Sequence, residues 1–213
     1  MRMVRIFLPF IILIAAISIF FNFKYFKKDL DNNRVTEVVD GDTFQLKSGV
    51  RVRLMGIDAP EFGNCGSEEA KKKLSELILD KNVELKETVE EKFGRSLALV
   101  YQNGTLVNKI MMEEGWGRPD YRKNSQRDVL TSAYHTAQDK KLGLYGFCID
   151  PKNPPNCTIK GNIDIATSEK FYHLPYCRHY SQTHLNTAFG EGWFCNEQEA
   201  LKAGFVKSPS CDQ

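Results

Sequence analysis

The chain has 213 residues, of which 42% are hydrophobic and 26% charged, and its formal net charge is +2. That composition excludes a disordered polar chain and allows one domain of ordinary size plus a smaller unit. Near-neutrality also excludes any argument for nucleic-acid binding from bulk charge, so attraction to phosphate would have to come from local placement of cations.

In chain order, Arg2 and Arg5 precede an uncharged apolar run over residues 6–23. At about 18 residues it is long enough to cross a bilayer as a helix. Residues 1–26 are therefore expected to form a signal anchor outside the globular fold. Cleavage of a signal peptide near Ala16-Ile17-Ser18 is the alternative. Lys24, Lys27 and Lys28 follow the run, so the positive-inside rule is contested by charges on both sides. All six cysteines lie beyond the run, and an even count in an exported chain points to disulfides. The globular part is accordingly placed outside the cytoplasm, membrane-anchored or, after cleavage, secreted.

Residues 27–33 read as a polar linker, and from Arg34 short strands begin. They are expected over 34–39, 43–47 and 50–57, with turns at Asp40-Gly41-Asp42-Thr43 and Ser48-Gly49. Over 50–54, Arg51 and Arg53 leave one face while Val50, Val52 and Leu54 pack the other. Pro60 ends that strand, because proline cannot continue a ladder. Ser67 is placed as the N-cap of a helix whose Ala70, Leu74, Leu77 and Ile78 share one face. Strands follow over 82–88 and 96–101, joined by a turn at Lys92-Phe93-Gly94 that presents Arg95. Asn103-Gly104 is a further turn. Helices are expected over 106–114, stopped by Gly115, and over 125–141, opened by Ser125 and Asp128. Five short strands with a helix between the third and fourth fit a closed Greek-key barrel of the OB type, an α+β fold with about three helices over residues 34–148.

Residues 149–156 form a proline-rich boundary, and residues 157–213 a small unit with Cys157, Cys177, Cys195 and Cys211. So short a segment buries little core, and cross-links would help it. Disulfides are favoured because no CxxC pair nucleates a zinc site; a metal site from His173, Cys177, His179 and His184 is the other possibility. Cys65 and Cys148 are candidates to bridge the first loop of the barrel to its end, although sequence does not determine connectivity.

The densest chemistry lies in residues 39–61, which gather Asp42, Asp58, Glu61 and Arg53 around turns and strands. Arginines can pair with phosphoryl oxygens in a bidentate way that lysine does not copy. Paired carboxylates suit a hard, oxygen-seeking cation, and a further carboxylate can accept a proton from water.

Three blocks carry a resemblance: DGDTF at 40–44, VRLMGIDAPE at 52–61 and EKFGRSLALVY at 91–101. In this order and spacing they resemble the staphylococcal nuclease-like (thermonuclease) family, and LGLY at 142–145 resembles its closing segment, so the resemblance covers about 34–146. It implies a Ca²⁺-dependent nuclease that hydrolyses DNA and RNA with low sequence specificity. By position, Asp42, Asp58 and the backbone carbonyl of Ala59 would bind Ca²⁺, with Asp40 supporting the metal shell. The family often has threonine where Ala59 stands, which matters little to a carbonyl ligand. Glu61 would be the general base, Arg53 and Arg95 the phosphate clamps, and Tyr121 falls where the family lines its nucleotide pocket with tyrosines. The C-terminal unit resembles a small module appended to many bacterial nuclease-like proteins, and that resemblance assigns it no chemistry. Two alternatives stand beside the enzyme: a non-catalytic nucleic-acid-binding OB barrel, or a carrier for a cell-surface-binding C-terminal module. Nucleic acid and the membrane are the expected partners, and no protein partner is predicted.

Overall fold

The computed structural model describes residues 13, 16–20, 32–91, 94–120, 122–165 and 167–212. Most of the expected membrane span lies outside these residues; residues 16–20 are helical and exposed. Among the described residues no helix is long and apolar enough to cross a membrane.

The first unit runs through β1 (Val35–Val38), β2 (Thr43–Leu46), β3 (Arg51–Leu54), β4 (Ile57–Asp58) and helix α1 (Ser67–Ile78). It continues with β5 (Glu84–Glu90), β6 (Arg95–Gln102), β7 (Thr105–Leu106) and α2 (Val107–Glu113). β8 (Arg118–Pro119), α3 (Arg127–Asp139) and the short α4 (Leu144–Phe147) complete it. The main sheet has the order β1-β2-β3-β6-β5, with β7 appended to β6. β3 and β6 run parallel, while the other neighbours are antiparallel. The start of β1 returns to the residues before β5, where Val35 N–H donates to the Lys81 carbonyl at 2.9 Å and Arg34 bridges Asn82. That contact curls the sheet into an OB-like barrel and covers its edges.

The alternation expected in β3 holds: Val52 and Leu54 are fully buried, while Arg51 is exposed and Arg53 is half-buried. Val50 instead sits in the preceding turn, partly exposed, with its carbonyl accepting from Leu46 N–H at 2.9 Å. Phe44, Leu54, Leu99, Leu74, Ile78 and Met111 meet in one core between the sheet, α1 and α2. Ser67 does not cap α1. Gly66 takes the cap position with φ 77°, and Ser67 begins the helix as a buried residue. A Cβ on Gly66 would come within 2.1 Å of Leu144 Cδ2, so helix start and α4 are in direct contact. Ser125 likewise stands outside α3; its N–H donates to Glu87 Oε2 at 3.0 Å, and Gln126 is the N-cap.

The second unit has β9 (Ile159–Ile163), β10 (Lys170–His173), β11 (Gly192–Phe194), α5 (Glu197–Lys202) and β12 (Val206–Lys207). Its sheet order is β11-β9-β10-β12, and its small core is Ile159, Tyr172, Ala200 and Phe205. Cys157–Cys195 and Cys177–Cys211 cross-link it, while Cys65–Cys148 ties the loop before α1 to the end of the barrel. The alternative metal set does not assemble: Cys177 is in a disulfide, His173 Nε2 meets Asn162 Oδ1 at 2.9 Å, and His184 pairs with Asp150.

The two units share a seam. Leu144 and Cys148 of the first pack with Ala188 and Phe189 of the second, with Trp116 against them. Asp150 N–H donates to the Leu185 carbonyl at 2.7 Å, Leu185 N–H returns to Asp150 Oδ1 at 2.8 Å, and Trp193 Nε1 donates to the Pro151 carbonyl at 2.8 Å.

Candidate active site

The turn after β1 is shaped by Asp40, whose Oδ1 accepts from the N–H groups of Asp42 (2.9 Å) and Thr43 (2.7 Å). An aspartate bonding its own backbone two and three residues on is a turn device. Gly41 is required for space: a Cβ there would lie 2.7 Å from Ala70 Cβ and 2.8 Å from Ala59 Cβ. The turn therefore presses against α1 and the chain after β4, and the Asp42 side chain is directed inward.

Asp42 is only 4% exposed. Its Oδ1 accepts from Thr43 Oγ1 at 2.8 Å; its Oδ2 accepts from Ala59 N–H at 3.0 Å and faces Arg53 Nη2 at 3.0 Å. The register of β2 against β3 sets Arg53 opposite Thr43, which places the guanidinium beside this carboxylate. The same Nη2 donates to Asp58 Oδ1 at 2.7 Å, so one nitrogen holds two carboxylates face to face. Burial pushes the Asp42 carboxyl up to about 7, although Arg53 pulls the other way. Burial also works against the Arg53 charge, but Asp42 and Asp58 outweigh it and hold the guanidinium above its ordinary value. Arg53 Nε is buried without a hydrogen-bond partner among the described residues, so its donors are not all spent on the protein.

The structure thus brings together Asp40, Asp42, Arg53, Asp58 and Ala59. Glu61 lies three residues past Asp58 on the exposed loop after Pro60. Its carboxylate is engaged by no hydrogen bond or ion pair among the described residues, so it is free to meet water. Arg95 is placed differently from the expectation. Its Nε donates to Glu91 Oε2 at 2.6 Å, and the same carboxylate also holds Arg122. Tyr121 lies outside the described residues.

Three site residues were missed by sequence reasoning: Arg118, Asp120 and Arg122. Antiparallel pairing of β4 with β8 sets Arg118 opposite Asp58, and Arg118 Nε donates to Asp58 Oδ2 at 2.9 Å. Arg53, Asp58, Arg118, Asp120 and Arg122 line a cavity of about 220 Å³. Three guanidinium groups line this hollow, and besides Asp58 and Asp120 on its wall, Asp42 pairs with Arg53 and Glu91 with Arg122. Its remaining wall includes Ile165 and Ser168, from the β9–β10 connection of the second unit.

The matching family model, described as staphylococcal nuclease homologue, covers residues 51–146. An uncharacterized endonuclease of Haemophilus influenzae is 31% identical over 162 residues, spanning 73% of this chain and 89% of that protein. This chain belongs to the staphylococcal nuclease family. A micrococcal nuclease of Shigella flexneri is 30% identical over 125 residues, covering 52% of this chain and 71% of its own. An uncharacterized endonuclease of Escherichia coli O157:H7 is 31% identical over 129 residues, covering 58% and 82% respectively. As a member of this family the protein is a nuclease, a hydrolase acting on nucleic acid.

The donor chemistry of the cluster fits a hard divalent cation. Asp42 is an almost fully buried carboxylate whose charge a single shared arginine compensates only in part. Asp58 stands beside it, and no N–H among the described residues claims the Ala59 carbonyl. No three acidic, imidazole or thiol side chains among the described residues form a cage on their own. Two carboxylates and one carbonyl would leave room for water and phosphate oxygens, as hard cations prefer.

Proposed function

We propose that this nuclease hydrolyses phosphodiester bonds of DNA and RNA in a Ca²⁺-dependent reaction with little sequence specificity. The observation that carries the proposal is the buried Asp42–Arg53–Asp58 cluster opening onto an arginine-lined cavity. Asp42, Asp58 and the Ala59 carbonyl would hold Ca²⁺, with Asp40 shaping the turn, and the ion would supply positive charge beside the reacting phosphate. Arg53 offers its buried Nε–H and Nη groups to the phosphoryl oxygens, where charge gathers as water adds to phosphorus. Glu61 accepts the proton of that water; the new P–O bond forms as the bond to the leaving oxygen breaks. Arg95 joins as a second clamp once phosphate competes with Glu91 for its guanidinium. Contacts of this kind position a backbone without reading bases, which underlies the low specificity.

We also propose that the nuclease acts outside the cytoplasm, anchored by residues 6–23. Three disulfides support an oxidising compartment.

The test is cleavage of single-stranded DNA and RNA by the full chain in detergent, with Ca²⁺ or with chelator, beside Glu61→Gln. Cleavage that needs Ca²⁺ and falls by about two orders of magnitude or more in the variant supports the reading. Binding of oligonucleotide without cleavage by the folded, oxidised protein would favour a non-catalytic barrel. Activity that survives chelator or the substitution would refute the assigned roles.

A further inference from the structure

Of the three arginines that line the cavity, two are each shared between two carboxylates. Arg53 holds Asp42 and Asp58, and Arg122 is shared between Glu91 and Asp120. Arg118 differs. Only its Nε is engaged, by Asp58 Oδ2 at 2.9 Å, and its Nη groups have no partner among the described residues. Its side chain retains 21% exposure and lines the cavity. A guanidinium with one donor fixed and its fork open is prepared for a bidentate anion.

The second unit supplies what keeps that group in place. The Phe189 ring lies 4.2 Å from the Arg118 guanidinium carbon, a cation–π distance. Phe189 itself is 9% exposed and fixed in the seam with Leu144, Cys148 and Ala188. Arg118 is therefore held between the Asp58 carboxylate on one unit and an aromatic ring on the other. Ile165 and Ser168 of the second unit stand across the same cavity.

We propose that Arg118 binds a backbone phosphate of the nucleic acid next to the reacting one, and that the C-terminal unit completes the substrate cleft by holding Arg118 through Phe189. The inference rests on the nuclease reading. It gives the C-terminal unit a role in nucleic-acid binding at the same site.

The experiment uses the full, oxidised chain in detergent and two readouts. The first is the Kd of a fluorescent single-stranded DNA oligonucleotide in chelator, measured over a salt series. The second is kcat and KM for cleavage of that oligonucleotide and of a dinucleotide, which has a single phosphodiester. Arg118→Gln should weaken oligonucleotide binding about tenfold or more and lower the slope of log K against log salt by about 0.7, the value for one single-strand phosphate contact. KM for the oligonucleotide should rise far more than KM for the dinucleotide. Arg118→Lys should restore the salt slope but only part of the affinity. Phe189→Leu keeps the seam filled with an aliphatic side chain and should show the Arg118→Gln pattern more weakly. Unchanged affinity and salt slope in Arg118→Gln, with kcat falling equally on both substrates, would overturn the inference and leave Arg118 only a brace for Asp58. If the wild type bound oligonucleotide in this Arg118-dependent way but cleaved nothing, the catalytic reading would fail and the binding inference would stand.

Discussion

Asn108 is wholly buried on α2, and its amide is shared among three backbone groups. Oδ1 accepts from Val100 N–H at 2.8 Å, and Nδ2 donates to the Met55 carbonyl at 2.9 Å and the Ala98 carbonyl at 3.4 Å. Ala98 also accepts from Met55 N–H at 2.8 Å, so it keeps a partner if Asn108 is removed. Val100 N–H and the Met55 carbonyl do not. Asn108→Ala therefore leaves two buried backbone groups unsatisfied, at about 1–3 kcal/mol each, and we expect a loss of about 3–4 kcal/mol of stability. Met55 lies between Arg53 and Asp58, so the loosened segment should also lower kcat in protein that is still folded. Urea unfolding followed by circular dichroism, with the slope compared with wild type, measures the first effect. Asn108→Asp is the sharper variant. One oxygen can still accept from Val100, but the other faces two carbonyls and favours the protonated form. A carboxyl whose folded pKa is raised loses stability as pH rises above the unfolded value, so Asn108→Asp should approach wild type only in acid. A loss below about 1 kcal/mol in Asn108→Ala, or an Asn108→Asp protein indifferent to pH, would refute the argument.

The Cys65–Cys148 bridge closes a loop with a sequence separation of 83. Replacing both cysteines with serine should cost about 4.5 kcal/mol by the loop-entropy relation, measured by urea or thermal unfolding with the other two bridges kept oxidised. At the seam, burial opposes the Asp150 charge, but the His184 pair and the Leu185 amide outweigh it and hold the carboxyl below its ordinary value. Its contribution is present above the unfolded value near 3.8 and is lost as pH falls through the lower folded one. Asp150→Asn should thus lower stability at pH 7 by no more than about 1 kcal/mol, because the group is partly exposed, and the difference should shrink in thermal melts as pH falls below the ordinary value near 3.8.

The heart of the site was legible because its determinants are local. The DGDT turn, the period-two alternation around Arg53 and the stop at Pro60 place Asp42, Arg53 and Asp58 within seventeen residues of one another, and strand pairing between neighbours does the rest. Arg118 was not legible, because it reaches Asp58 through a two-residue strand pairing across 60 residues of chain. The side chain on its other face comes from a unit with a separate core. The fate of Arg95 had a signal: Glu91 stands four residues earlier across a glycine turn, and that spacing allows the ion pair that forms. Helix starts were misplaced where a polar residue resembled a cap; Gly66 in the left-handed region displaced Ser67, and Glu87 from β5 claimed the Ser125 amide. The cysteine pairing within the second unit could not be chosen from spacing, since four cysteines allow three connectivities.

The parallel pairing of β3 with β6 has a consequence for how this nuclease comes into being. Antiparallel neighbours such as β2 and β3 can zip locally, but β3 must wait for a strand beyond α1 and β5, and Asp58 must wait for Arg118 beyond that. Contacts so distant in sequence form late, after the loop-closure entropy has been met. A chain still emerging or only partly collapsed can hold the DGDT turn and the first hairpin, yet it has neither the closed barrel nor the arginine-lined hollow. The hydrolytic machinery therefore depends on contacts that close only after the first hairpin has formed.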